Sequence, residues 1–265
     1  MPELAEVETV RRAVETGFRG KRIVSVICRQ DPIVFDELGP RAFTGRLRGQ
    51  TLIGTGRKGK FFWLTFDGGW SVLMHLGMTG WIEQGRFGEM DLRFARMQLE
   101  FEDETWLAFT DPRRLGRIRL RTDPLGEPPV SKLGFDVYLD DPGRDWFAAE
   151  VQKRKAPIKA ILLDQGFTAG IGNWLADEIL FQAKIDPRRR GDTLTRTEAR
   201  AIYRAMKRIV NRAVKLGADD TKFPNTWLFH HRWGKNAEAR TSTGDPIEYC
   251  TVGGRTTAWV PTVQV

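Results

Sequence analysis

Residues 162–181 read LLDQGFTAGIGNWLADEILF, and this stretch decides the fold of the second half of the chain. Apolar residues at helical spacing on either side of its centre predict one helix over 158–165 and another over 174–184. The glycine-rich segment GIGN, residues 170–173, separates them. Backbone N–H groups at the start of a helix are free to bind an anion, so this segment and the Asn173 amide could hold a phosphate. Alternatively, Asn173 could serve only as the N-cap of the helix.

Helical patterns continue outward from this stretch. They predict further helices over 146–155 and 197–216, and Thr195 and Glu198 have the spacing of a capping box at the start of the longer one. Four prolines between residues 123 and 143 indicate an interdomain connection. The tail returns to strand-forming residues at 249–260.

The first half of the chain is predicted to be mostly β-structure. It opens with a helical pattern from Leu4 to Phe18 that ends at Gly20. Short strand-forming runs follow, over residues 23–28, 51–54, 61–66, 70–75, 97–101, 105–110 and 116–120. Seven short strands within roughly a hundred residues are typical of a sandwich or a barrel.

The net positive charge lies in the second half. The 265 residues carry 42 Lys and Arg against 34 Asp and Glu, a formal charge of +8. Residues 1–150 hold 22 basic and 23 acidic side chains, whereas residues 151–265 hold 20 and 11. This asymmetry favours a polyanionic partner, with nucleic acid first, although a basic surface that only aids solubility would look the same.

The remaining composition excludes several classes of protein. No apolar run is long enough to span a membrane, and the acidic N-terminus does not resemble a signal peptide. Cys28 and Cys250 are the only cysteines, too few for a disulfide framework. We therefore expect an intracellular protein.

Six sequence motifs occur in the order found in one family. They are MPELAEVET (1–9), RKGKFF (57–62), HLGMTG (75–80), DPRRLG (111–116), the 162–181 stretch and VGGRTT (252–257). Together they resemble the formamidopyrimidine-DNA glycosylase/endonuclease VIII family, which repairs oxidised bases. Ala5 replaces the second proline that is usual in the first motif, and Leu115 stands where many relatives carry Phe.

The resemblance implies an α+β fold of two domains, an N-terminal helix on a β-sandwich followed by a helix–two-turns–helix domain with a zincless β-hairpin finger. The expected boundaries are 1–122 for the helix and β-sandwich catalytic domain, 123–145 for a linker, 146–222 for the DNA-binding helix–two-turns–helix domain and 223–265 for the finger. The finger is placed in the zincless, plant and fungal-like branch because FPNTWLFHHR (223–232) precedes GGRTTAWVP (253–261). A structural zinc site needs four Cys or His ligands. Here the finger offers one cysteine, Cys250, and two consecutive histidines, His230 and His231.

Without a metal, apolar packing must stabilise the finger. The side chains available for it are Phe223, Trp227, Phe229, Trp233, Tyr249, Val252 and Trp259.

The resemblance also implies the catalytic residues. Once Met1 is removed, Pro2 offers a secondary amine that can attack the sugar C1′, and Glu3 can transfer protons beside it. The implied catalytic set is Pro2, Glu3, Lys60 and Arg255, with Glu6 and Glu178 in support. Glu178 could equally be a buried structural carboxylate.

Two further groups of residues would bind DNA. The implied phosphate-binding residues are Lys60, His75, Asn173 and Arg255. Met78, Arg113 and Leu115 would form a wedge that fills the gap left by a flipped base. On pattern alone, Met78 and Leu115 could instead be core residues.

The resemblance therefore implies a monomeric bifunctional DNA glycosylase and apurinic/apyrimidinic lyase without a cofactor or a metal. Its partner would be double-stranded DNA with oxidised bases or abasic sites, and it would not bind a membrane. It would lie with DNA inside the cell, in the bacterial cytoplasm or nucleoid or in a eukaryotic nucleus. Two alternatives stay open: a non-catalytic damaged-DNA-binding protein if Met1 is retained, and a basic RNA-binding protein, which the Pro2–Glu3 start disfavours.

Overall fold

The computed structural model describes residues 2–86 and 93–265. Met1, whose removal decides whether Pro2 has a free amine, lies outside the described residues. The chain forms two compact units. The N-terminal unit contains Pro2 and Glu6–Lys132, and the C-terminal unit contains Glu3–Ala5 and Leu133–Val265.

The N-terminal unit is a helix on a β-sandwich, as expected. Helix α1 (Leu4–Phe18) opens the chain, and α2 (Pro40–Leu47) lies between the first two strands. The strands are β1 (Ile23–Cys28), β2 (Leu52–Lys58), β3 (Phe61–Phe66), β4 (Ser71–His75), β5 (Trp81–Arg86), β6 (Ala95–Phe101), β7 (Thr105–Thr110) and β8 (Arg117–Arg121). They form two antiparallel four-stranded sheets, in the orders β1-β6-β7-β5 and β2-β3-β4-β8.

One apolar core joins both sheets and α1. Val10 and Val14 of α1 pack with Leu99 and Leu107 from one sheet and with Leu64 from the other. Each sheet alternates its side chains between this core and the outside, which closes the sandwich.

Two elements of this unit do not follow from the sequence pattern. Strand β5 has only Ile82 buried, so its sequence carries little apolar alternation. Helix α2 contains Pro40 and Gly45 and buries Phe43 and Leu47, a set too small to give a helical period.

The C-terminal unit contains the expected helices. They are α3 (Arg144–Gln152), α4 (Ile158–Leu163), α5 (Asn173–Ala183) and α6 (Arg196–Lys215). Helix α6 begins with the expected capping box between Thr195 and Glu198. A short parallel pair is formed by β9 (Phe135–Asp136) and β10 (Thr168–Ala169), and β10 lies in the connection between α4 and α5.

The finger is an antiparallel hairpin of β11 (Glu248–Val252) and β12 (Arg255–Trp259). Its two-residue turn is Gly253-Gly254, with φ values of 58° and 72°. A type I′ turn requires positive φ at both central residues, which explains the paired glycines.

The packing of the finger differs from our expectation. Its own core is formed by Leu228, Ile247, Ala258 and Val260. Phe223, Trp227 and Phe229 join the core of the helical unit around Trp174 instead. Trp233 is 53% exposed, so the prediction that it helps to fill the finger core was wrong. Phe223, Trp227 and Phe229 attach the segment before the hairpin to Trp174 of α5.

Candidate functional site

Glu3 lies at the start of α5. Its carboxylate accepts hydrogen bonds from the N–H groups of Gly172 at 2.9 Å, Trp174 at 2.9 Å and Leu175 at 3.2 Å, and the side chain is 1% exposed. The first turn of a helix offers unpaired N–H groups and a partial positive charge, and both stabilise a carboxylate. The Glu3 carboxylate is therefore fixed in one orientation at the start of α5.

The glycines of the GIGN segment make room for this contact. A Cβ at Gly172 would lie 2.2 Å from the Glu3 carboxyl carbon. A Cβ at Gly170 would lie 2.4 Å from Leu4 Cδ1, and Gly170 also has a φ of 104°. Only glycine fits at both positions, because the start of the chain packs directly on this turn.

Asn173 and Arg255 lie in the same unit as Glu3. Asn173 is the first residue of α5, and its Nδ2 donates to the Thr256 carbonyl oxygen at 2.9 Å. Arg255 is exposed at the first position of β12, directly after the glycine turn. The Asn173 amide thus joins the start of α5 to the residue that follows Arg255.

Lys60 lies in the N-terminal unit, in the turn between β2 and β3. Arg57, buried near the end of β2, donates to the Gly59 carbonyl oxygen at 2.9 Å and to Glu8 at 2.9 Å. Burial alone would raise the pKa of Glu8, but hydrogen bonds from Arg11, Arg57 and Arg12 lower it to about 2. This buried ion pair fixes the turn that presents Lys60.

Glu8 and Arg57 were not among the predicted site residues. Both lie inside the sequence motifs, at 1–9 and 57–62, but their pairing joins residues 49 positions apart. The two other N-terminal candidates, Pro2 and Glu6, are half-buried, and Glu6 lies in the first turn of α1.

His75 ends β4 as a neutral imidazole. Burial and the nearby positive charges of Lys60, Arg119 and Arg117 lower its pKa from 6.5 to about 4. Its Nδ1 accepts the Gly77 N–H at 3.1 Å, which places the ring proton on Nε2. A neutral ring with an Nε2–H is a hydrogen-bond donor suited to a phosphate oxygen.

Met78 and Leu115 are exposed by 41% and 38%, so neither is a core residue. Their loops are joined by the buried Asp111, which accepts hydrogen bonds from the Thr79 hydroxyl at 2.7 Å and from the Gly116 N–H at 2.7 Å. A Cβ at Gly77 would lie 2.5 Å from the Leu115 backbone. The two apolar tips therefore stand on adjoining loops, beside the exposed Arg113.

Glu178 is buried within α5. It accepts the Phe229 N–H at 2.9 Å and the Gln182 Nε2–H at 2.6 Å. Burial raises the pKa of Glu178 to about 7. These hydrogen bonds and the positive charge of Arg232 act in the opposite direction but are outweighed by burial. These contacts tie α5 to the segment that precedes the hairpin.

The finger contains one cysteine, Cys250, and two adjacent histidines, His230 and His231. The described part of the chain contains no group of three or more His, Cys, Asp or Glu side chains that could hold a metal ion. His230 Nε2 and His231 Nε2 lie 3.2 and 3.3 Å from the backbone carbonyl oxygens of Phe223 and Asn225.

Within the described ranges, no helix is long and apolar enough to cross a membrane.

Comparisons with known proteins place these features in context. Residues 1–118 match the model of the formamidopyrimidine-DNA glycosylase N-terminal domain, and residues 133–225 match that of the formamidopyrimidine-DNA glycosylase H2TH domain. A formamidopyrimidine-DNA glycosylase of Arabidopsis thaliana is 38% identical over 277 residues, covering 100% of this chain and 71% of that protein. One of Thermus thermophilus is 33% identical, covering 100% and 98%.

Solved structures of a Lactococcus lactis protein are similar over nearly the whole chain. The complex of Lactococcus lactis Fpg with DNA that contains an abasic site has a TM-score of 0.87 at 27% identity, covering 99% of both chains. The complex with DNA that contains Fapy-dG has a TM-score of 0.87 at 26% identity, with the same coverage.

Proposed function

The chain belongs to the formamidopyrimidine-DNA glycosylase family, and on that premise we propose that it is a bifunctional DNA glycosylase and apurinic/apyrimidinic lyase. It acts on damaged double-stranded DNA. Its substrates are formamidopyrimidines, hydantoins and abasic sites, with oxidised pyrimidines as a further class. The observation that carries this proposal is the Glu3 carboxylate, held by three N–H groups at the start of α5, directly after Pro2.

Base removal begins with the Pro2 amine. After Met1 is removed, the nitrogen lone pair attacks C1′ of the damaged nucleotide, and the bond from C1′ to the base breaks. The N–H proton of Pro2 leaves with the base, the Glu3 carboxyl group donates a proton to O4′ as the sugar ring opens, and an iminium ion joins Pro2 to C1′. The Glu3 carboxylate that remains, next to the nucleophile in the chain, then accepts a proton from C2′.

Strand cleavage follows by β,δ-elimination. Loss of a C2′ proton expels the 3′ phosphate, and a second elimination expels the 5′ phosphate. Lys60, His75, Asn173 and Arg255 hold the phosphates in this proposal, and Arg255 and Lys60 also offset the negative charge of the leaving groups. Met78, Arg113 and Leu115 fill the space that the flipped base leaves, and their exposure supports this role.

Borohydride trapping tests the proposal directly. Wild-type protein should form a reduced covalent complex with abasic-site DNA, and peptide mapping should place the DNA on Pro2. Pro2→Gly should weaken the trapping or move it to another amine.

The intact mass of the same sample shows whether Met1 is absent. A protein that lacks Met1, binds abasic DNA and yields no trapped complex would contradict the imine mechanism. A protein that retains Met1 and only binds would be the non-catalytic alternative.

A further inference from the structure

The buried carboxylate of Asp177 contacts three other segments of the C-terminal unit through ion pairs and hydrogen bonds. Its Oδ1 forms an ion pair with Lys159 Nζ of α4 at 2.6 Å. Its Oδ2 accepts hydrogen bonds from Arg232, through Nη2 at 2.6 Å and Nε at 3.2 Å, and from the Ala258 N–H of β12 at 3.1 Å. Lys159 and Asp177 are at most 1% exposed, and Arg232 is 7% exposed.

Lys159 extends this network to the turn of the finger. Its Nζ donates to the Thr256 carbonyl oxygen at 3.1 Å and to Thr257 Oγ1 at 2.8 Å. Thr257 Oγ1 donates in turn to the Arg255 carbonyl oxygen at 3.2 Å. The Thr256 carbonyl that Lys159 binds is the one that Asn173 Nδ2 also contacts. Hydrogen bonds through Thr256 and Thr257 therefore connect the buried Lys159 both to the backbone of Arg255 and to the side chain of Asn173.

These charges do more to specify geometry than to add stability. Removing two cations and one anion from water costs free energy that their attraction only partly offsets, whereas a buried ionic group tolerates few alternative arrangements. A two-stranded hairpin is marginal in water by itself. The described finger residues have no ligand set for a metal that could hold it.

We propose that Asp177 is a positioning residue that sets Arg255 against Asn173, through Lys159 and the backbone of β12. The ionic group of Lys159, Asp177 and Arg232 links the finger to α4 and α5. The inference rests on the phosphate-binding role that the proposed function gives to Arg255 and Asn173.

The first test compares Asp177→Asn with Asp141→Asn. Asp141 is a matched control in the same unit, because its carboxylate accepts hydrogen bonds from the Tyr203 hydroxyl and the Gly143 N–H, both outside the finger. The measurement is the Kd for duplex DNA that contains a tetrahydrofuran abasic-site analogue. Asp177→Asn should weaken binding at least tenfold, and Asp141→Asn should stay within twofold of wild type. Wild-type affinity in Asp177→Asn would overturn the proposal.

A double-mutant cycle separates positioning from general structural damage. If Asp177 acts through Arg255, Asp177→Asn should change the Kd less than twofold in an Arg255→Ala background. Equal losses in the two backgrounds would mean that Asp177 does not act through Arg255. Thr257→Val provides a milder second variant if Asp177→Asn fails to fold. It removes only the hydroxyl link and should weaken binding about threefold, again only when Arg255 is present.

Amide hydrogen exchange provides a readout that does not depend on activity. In Asp177→Asn, or in Thr257→Val if the first variant is unfolded, exchange should rise in residues 248–259 and stay unchanged in β2–β4. Unchanged exchange in the hairpin would contradict the positioning role. A wild-type protein that fails to bind damaged DNA while the hairpin responds as expected would refute the proposed function and leave the structural link intact.

Discussion

Glu3 is held by three backbone N–H groups, and a substitution there should separate catalysis from binding. We expect Glu3→Gln to lower the rate of base excision at least 100-fold, the range expected for loss of a positioned acid/base group. DNA affinity should change only a few-fold, because the amide oxygen can still accept one of the N–H bonds. Single-turnover excision and a binding assay on the same substrate measure both effects. Glu15→Gln, at a half-buried glutamate of α1 that lies outside the implied site, is the matched control. Excision by Glu3→Gln at the wild-type rate would remove Glu3 from the proposed acid/base role.

Glu178 should make the stability of the protein depend on pH. Burial raises its pKa from 4.5 to about 7. Between these values the unfolded chain releases the proton and the folded chain keeps it, so stability falls as the pH rises through this window. At about 1.4 kcal/mol per pH unit the full effect is about 3 kcal/mol.

Glu178→Gln should abolish this fall and be more stable than wild type at pH 8. Urea unfolding of both proteins at pH 5, 6, 7 and 8 measures the difference. His75, with a pKa lowered to about 4, has the opposite sign, since its contribution is lost as the pH falls from 6.5. His75 is present in both proteins, so the difference between their free energies of unfolding at each pH isolates the contribution of Glu178. Parallel pH curves would show that the Glu178 carboxyl titrates normally.

The finger presents Arg255 without a metal in our proposal. A chelator should therefore leave activity unchanged, and metal analysis of the purified protein should find no stoichiometric zinc. Arg255→Ala should lose most DNA binding and catalysis while the far-ultraviolet circular dichroism stays that of wild type. Arg240→Ala is the matched control, because Arg240 is exposed in the same tail and its side chain donates to the nearby Gly244 carbonyl oxygen. A bound zinc, or normal activity of Arg255→Ala, would contradict this view of the finger.

The segment from Gly217 to Asn225, which follows α6, bears on the choice of lesion. The family resemblance implies that a longer segment here would cap 8-oxoguanine. Here it is short and held at its end, because Phe223 is buried and its carbonyl oxygen lies 3.2 Å from His230 Nε2. We expect good excision of formamidopyrimidines and hydantoins and weaker excision of 8-oxoguanine opposite cytosine. Single-turnover rates on matched duplexes test this preference, and equal rates on hydantoins and 8-oxoguanine would refute it.

The charge of the whole molecule should appear in the salt dependence of DNA binding. Residues 151–265 carry the excess of 20 basic over 11 acidic side chains. Each cation that neutralises a phosphate adds about 0.9 to the slope of log Kd against log salt concentration. Arg255→Ala should therefore reduce the slope by about one. Asn173→Ala should weaken binding without changing the slope, because an amide carries no charge. Titrations between about 50 and 200 mM salt decide this, and an unchanged slope in Arg255→Ala would mean that Arg255 does not pair with a phosphate.

Much of the fold followed from local pattern. Helix α6 was predictable because its apolar period and its capping box agree, and β3 and β7 were predictable because their strand-forming runs are continuous. Strand β5 was not, since a strand with one buried side chain depends on its partner β7 for its position.

The sequence by itself determined the family, most of the elements and the candidate residues, because motifs and periodicity are local properties of the chain. Only the tertiary structure decided how those residues are held. It placed Glu3 on the N–H groups of residues 172–175, Arg57 on Glu8, and Lys159 and Arg232 on Asp177. These contacts join residues far apart in the chain, and a buried charge gains a partner only when folding brings it there. The same holds for the exposure of Met78 and Leu115, whose sequence pattern taken alone favoured core packing.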